Sequence, residues 1–186
     1  MEFLFDLWIP ILTSAAAVFV VSSIVHLVLP IHKNDYARLP DEETILASLR
    51  DQQVGPGEYS FPFTESMQEM QEPATVEKFT RGPVGFLTVM PNGPPRIGKN
   101  LVIWFAYSIL ISVFAAYITS FLAINSPREA FRLTGTVAVL AYAATHIYNS
   151  IWKAQPWTTT LKNVFDGILY GLVTAAIFAS LGNWGV

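Results

Sequence analysis

Three residues of this chain stand where their chemistry is expensive: His26, His146 and Asp166 each lie within an otherwise apolar run. An ionisable group at membrane depth is retained where it binds, relays or pairs. Two histidines and a carboxylate are a donor set for a divalent metal, a His and an Asp can relay a proton, and two histidines can ligate haem. The structural alternative is that Asp166 accepts a hydrogen bond from a histidine and fixes its helix against a neighbour. Asp166 is expected to meet His26 or His146, because an unpaired carboxylate there would lose hydration without compensation. Asn149 and Ser150 add hydrogen-bonding capacity at nearby depth, and Tyr170 follows Asp166 by one helical turn on the same face. His32, just past Pro30, reads as an interface residue, and Lys162, one turn before Asp166, reads as snorkelling outward.

Much other chemistry is excluded. The chain has no cysteine, which removes disulfides, thiolate metal sites, iron-sulfur clusters and cysteine nucleophiles. No serine-histidine-acid motif, His-Glu-x-x-His helix or glycine-rich phosphate loop occurs. The sequence requires no cofactor, and it leaves the metal question open. A net charge of -3 gives no basic stripe, so no nucleic-acid partner is expected.

The elements that must position these residues are set by hydropathy. With 52% hydrophobic and only 13% charged residues and a mean hydropathy of +0.42, the chain lacks the polar shell of a soluble domain. A hydrocarbon core of roughly 30 Å takes about 20 apolar residues in a helix. Four segments meet that demand: 7–29, 101–123 and 133–151, which contain no Asp, Glu, Lys or Arg, and 164–181, which contains only Asp166. The expectation is an all-α membrane protein, a four-transmembrane-helix bundle forming a single membrane domain. Residues 1–6 are acidic and apolar rather than basic, so the first span is expected to be retained and not cleaved as a signal. All five tryptophans, Trp8, Trp104, Trp152, Trp157 and Trp184, fall near span ends, where the indole suits the headgroup level.

Boundary chemistry refines this. Ser126, Pro127 and Glu129 supply an N-cap, a first-turn proline and a capping-box acid, making spans two and three an antiparallel hairpin. Pro30 closes span one, and Thr158, Thr159 and Thr160 after Pro156 can cap span four. Small residues mark packing seams in lipid. Gly167, Gly171, Ala175 and Ala179 form one such face, with Ser108, Ser112, Ala116 and Ser120, and Gly135, Ala138 and Ala141, as counterparts.

Residues 31–100 form an extramembrane insertion of short helices and turns. An amphipathic helix is expected over 41–52, a weak capping box at Ser66 and Glu69, a helix over 73–80, and an apolar, strand-like run over 85–90. Lys33, Arg38, Arg50, Lys78, Arg81, Arg96, Lys99, Lys153 and Lys162 lie on one side of the spans, and only Arg128 and Arg132 on the other. That bias puts the insertion in the cytoplasm and both termini outside a plasma (inner) membrane. The leading functional expectation is a non-enzymatic accessory, scaffolding or self-associating subunit, with the bilayer and a homo-oligomer or membrane complex as partners. The alternative is a small transporter or proton- or metal-handling protein using His26, His146 and Asp166. A membrane-embedded enzyme ranks third.

Overall fold

A computed structural model describes residues 2–184. The elements in order are α1 (Phe3–Asp6), α2 (Trp8–Ser23), α3 (Glu42–Asp51), β1 (Gly57–Phe61), α4 (Met67–Met70), α5 (Pro73–Arg81), β2 (Gly85–Val89), α6 (Ile97–Thr119), α7 (Pro127–Ala143), α8 (Ile147–Trp152) and α9 (Trp157–Leu181). Helix makes up 68% of the structure. Three helical stretches, Trp8–Val28, Ile97–Thr119 and Trp157–Leu181, are long and apolar enough to cross a membrane. The chain divides into two units, one of Met1–Asp35 with Arg96–Val186 and one of Tyr36–Pro95.

In the first unit α2 packs on α6 and α9, α6 on α7, and α7 on α9, which closes a ring of four helices. The α7–α9 seam is set by glycine. A Cβ added to Gly167 would stand 2.6 Å from the Ala143 backbone nitrogen, one on Gly171 would stand 2.8 Å from that of Val139, and one on Gly135 would stand 3.0 Å from the Ala175 Cβ. Index rises along α9 as it falls along α7, so the two helices run antiparallel with their backbones in near contact, the small-residue packing that operates where lipid supplies no hydrophobic drive. Gly167, Gly171 and Ala175 are buried as the spacing predicts, and Ala179 is half-buried. On the opposite side of the ring Ser14 donates to Ser112 at 2.9 Å, both side chains buried, tying α2 to α6.

Two helices are broken. Beyond Ser23, α2 continues as a π-helical turn, Ile24–Val28, in which the Leu29 N–H reaches the Ile24 carbonyl; Pro30 then opens a 3-10 turn, Pro30–His32. The expected third span, 133–151, is not one continuous helix: α7 starts at Pro127, stops at Ala143, and passes through a 3-10 turn, Ala144–His146, into α8. The cap at its start forms as read, with Ser126 accepting from the Glu129 N–H, although the Glu129 carboxylate reaches back to Asn125 rather than Ser126. The start of α9 departs from expectation. The helix begins at Trp157 with no side-chain cap, so Thr158, Thr159 and Thr160 occupy its first turn, where Thr160 is buried.

The second unit corrects the all-α reading. β1 and β2 pair antiparallel, Gly57 opposite Val89 and Phe61 opposite Gly85. The run over 85–90 signals its strand, but its partner carries Glu58 and Ser60 between aromatics and is followed by Pro62, which masks the apolar alternation. The helices appear where capping predicts: Asp41 accepts from the Thr44 N–H, Ser66 from the Glu69 N–H, and α5 ends at Gly82, whose φ of 61° suits a residue without a Cβ.

Candidate functional site

The site begins with the two irregular turns after α2. A π-helical turn inserts an extra residue per turn and shifts the side chains that follow it around the axis, which is why such turns recur where a side chain must be aimed. Here it carries His26, and the 3-10 turn beyond it folds His32 back, so the two imidazoles lie with centroids 4.4 Å apart, inclined by 35°. Both face Asp166 of α9. His32 Nε2 is 2.8 Å from Asp166 Oδ2, and His26 Nε2 is 3.7 Å from the same oxygen.

A second carboxylate completes the arrangement. His32 Nδ1 lies 2.6 Å from Asp35 Oδ2, and Lys162 Nζ donates to Asp35 Oδ1 at 2.7 Å. A neutral imidazole has one ring N–H, so both His32 contacts are hydrogen bonds only when the ring, or one carboxyl, carries a further proton. Burial pushes the Asp35 carboxyl up, but hydrogen bonds from Lys162 and His32 outweigh it and hold it below the ordinary carboxylate range. Asp166 is the most enclosed member, its side chain 4% exposed against 47% for His26.

Beside the cluster lies a cavity of about 280 Å³, walled by His26, Trp104, Tyr142, His146, Asp166 and Tyr170 among others. Asp166 Oδ1 and the Tyr170 hydroxyl are buried with no hydrogen-bond partner among the described residues. Leaving such groups unsatisfied costs about 1–3 kcal/mol each, and both residues line the cavity. Its aromatic wall is mutually packed: Trp104, Tyr142 and Tyr170 meet one another with centroids 5.7–6.0 Å apart, and the Trp104 N–H donates to Ser22 at 2.9 Å. Trp104 thus lines the interior of the bundle, unlike the exposed Trp8, Trp152 and Trp157.

The expected set is brought together in part. His26, His146, Asp166 and Tyr170 share the cavity, and Asp166 meets His26. His146, at the second helix break, lines the wall with no direct hydrogen bond to Asp166. Asn149 and Ser150 lie outside the cavity. The Asn149 carbonyl accepts from Lys153 and Gln155, and Ser150 bonds the Gln155 carbonyl and, at 2.5 Å, the Thr160 hydroxyl, so both shape the turn between α8 and α9. Three members go beyond the expectation from the sequence: Asp35 is not among the residues it singles out, His32 points inward onto Asp166, and Lys162 is committed to Asp35 rather than extended outward. Pro30 marks where the helix can end and the chain turn back, but residue types and spacing alone do not announce that the turn returns His32 and Asp35 to α9. No family model matches the chain, and no curated protein or solved structure matches it either.

Proposed function

We propose that this chain is a small four-span membrane protein that binds a cation in its polar cluster and passes it along the bundle. The fourth span is α7 with α8, which closes the helical ring with the three long apolar helices, and the insertion 31–100 is cytoplasmic by its lysine and arginine content. The observation that carries the reading is Asp166: a carboxylate buried among apolar helices beside a cavity, with two imidazoles against one oxygen and the other oxygen buried without a protein partner. A purely structural acid is expected to have all its acceptor capacity used within the protein. The supporting feature is that two broken helices flank the cavity, since irregular backbone at membrane depth is tolerated where it is buried or lines a cavity.

The structural and accessory reading is favoured by one specific observation, the His32–Asp166 and Lys162–Asp35 bonds that tie the turn after α2 to α9. The two are separated by flux. In proteoliposomes loaded with proton- and metal-sensitive dyes, wild type is expected to carry one of these cations down an imposed gradient, and Asp166→Asn, correctly inserted, to fall to the level of empty vesicles. Wild-type flux no greater than that of empty vesicles would leave the accessory reading standing.

A further inference from the structure

We propose that His26, His32 and Asp166 form a binding site for a divalent transition-metal ion of the Zn²⁺ class, with Asp35 and Lys162 as its supporting shell; the inference rests on the cation-handling reading and names the cation. One ligand atom from each of His26, His32 and Asp166 lies within 4.8 Å of the others. A tetrahedral site with metal–ligand bonds near 2.0–2.1 Å places its donors about 3.3 Å apart. The His26–Asp166 separation of 3.7 Å is close to that, and the His32–Asp166 separation of 2.8 Å needs to open by a few tenths of an ångström, which a change of side-chain torsion supplies.

The second observation is the far side of His32. A metal-bound histidine characteristically donates its other ring N–H to a carboxylate, which fixes the tautomer and raises the basicity of the ligating nitrogen. His32 Nδ1 is 2.6 Å from Asp35, whose other oxygen is held by Lys162. With an ion on Nε2, the single N–H of neutral His32 goes to Asp35, and Asp166 turns its charge to the metal. One proton and both carboxylates are then accounted for, which the His32 contacts by themselves do not achieve. Imidazole with one carboxylate suits zinc and its neighbours rather than magnesium or calcium, which take oxygen donors.

Three protein ligands leave a fourth position, and the cavity lined by His26 and Asp166 lies beside them to hold it. His26 and Trp104 line both this cavity and an open groove of about 390 Å³ edged by Ser22, Ser23 and Asn100. His26, the half-exposed member of the set, is the ligand nearest that groove, and the proposed ion enters past it.

The test is equilibrium binding, independent of flux. Wild type, stripped with chelator in mild detergent, is titrated with Co²⁺ and with Zn²⁺ at neutral pH. One equivalent per chain and the intense visible absorption of tetrahedral Co²⁺ are expected. Asp35→Ala should retain the stoichiometry and lose about 10–100-fold in affinity, the usual effect of removing a carboxylate behind a histidine ligand. His26→Gln and Asp166→Asn should each abolish the tetrahedral spectrum. As His26 is half-exposed, His26→Gln should fold, and the number of nitrogens coupled to bound Cu²⁺, expected to fall from two to one, reads the site without relying on affinity. Absence of stoichiometric binding in wild type, or a spectrum unchanged by both His26→Gln and Asp166→Asn, would overturn the proposal. Proton flux without metal binding would overturn it while leaving the transport reading intact, and tight metal binding without flux would support it while removing that reading.

Discussion

Asp166 has one oxygen against the ring nitrogens of His32 and His26 and the other buried without a protein partner, so its replacement acts on pairing and on function separately. Asp166→Leu removes the acceptor and leaves the His32 Nε2 side without a partner, a loss of about 1–3 kcal/mol. The double variant Asp166→Leu with His32→Leu removes both ends and is expected to be less destabilised than the sum of the single changes. Denaturation of the four proteins in a mild detergent measures this, and strict additivity would show that the two side chains do not interact. Tyr170→Phe is the complementary case: its hydroxyl is buried without a protein partner, so its loss should leave thermal stability unchanged or raised in metal-free protein, whereas a fall of several degrees would reveal a partner. The sequence made Asp166 conspicuous because it is the one acid in four apolar runs. It gave no such signal for His32 and Asp35, which lie beyond a helix-ending proline in a segment of ordinary polarity, and whose importance arises from a turn that brings them back to α9.

At the scale of elements, the α7–α9 seam holds two walls of the cavity in place. At Gly167 a methyl group would have to displace the α7 backbone, since its nearest atoms are all main chain, and at Gly171 it would meet the Val139 side chain first with the Val139 main chain close behind. Gly167→Ala is expected to cost about 1–3 kcal/mol, as overpacking does. Gly98→Ala, where a Cβ would meet nothing within 4 Å, should be neutral or stabilising by up to about 1 kcal/mol through the lower backbone entropy of alanine. Equal melting temperatures for the two variants would place the Gly167 face against lipid. This seam was readable because four-residue spacing of small residues has a direct physical meaning in a helix. The breaks at Ile24–Val28 and Ala144–His146 were not, since neither contains proline or glycine to announce it, and both carry residues that line the cavity. The paired strands were half legible for a similar reason, one apolar run being plain and its partner diluted by polar residues.

For the whole molecule, topology and site make linked demands. On the proposed topology the turn carrying Lys33, the start of α6 and the start of α9 share the cytoplasmic side, and the cluster lies at that end of the bundle, so the proposed metal would be exchanged with the cytoplasm. Because the native chain has no cysteine, single cysteines at the exposed positions Met67 and Asn183 report orientation directly. An impermeant reagent applied to intact cells should label Asn183→Cys and spare Met67→Cys, and the reverse pattern would invert the assignment. The account as a whole depends on the meeting of His26, His32 and Asp166 within the bundle. Solid-state NMR on isotopically labelled protein in lipid bilayers measures it, through dipolar couplings between histidine ring nitrogens and aspartate carboxyl carbons. Metal-free protein should show one histidine with both ring nitrogens coupled to carboxyl carbons, one of these couplings vanishing in Asp166→Leu; an Asp166 carboxyl with no histidine nitrogen nearby would contradict the account.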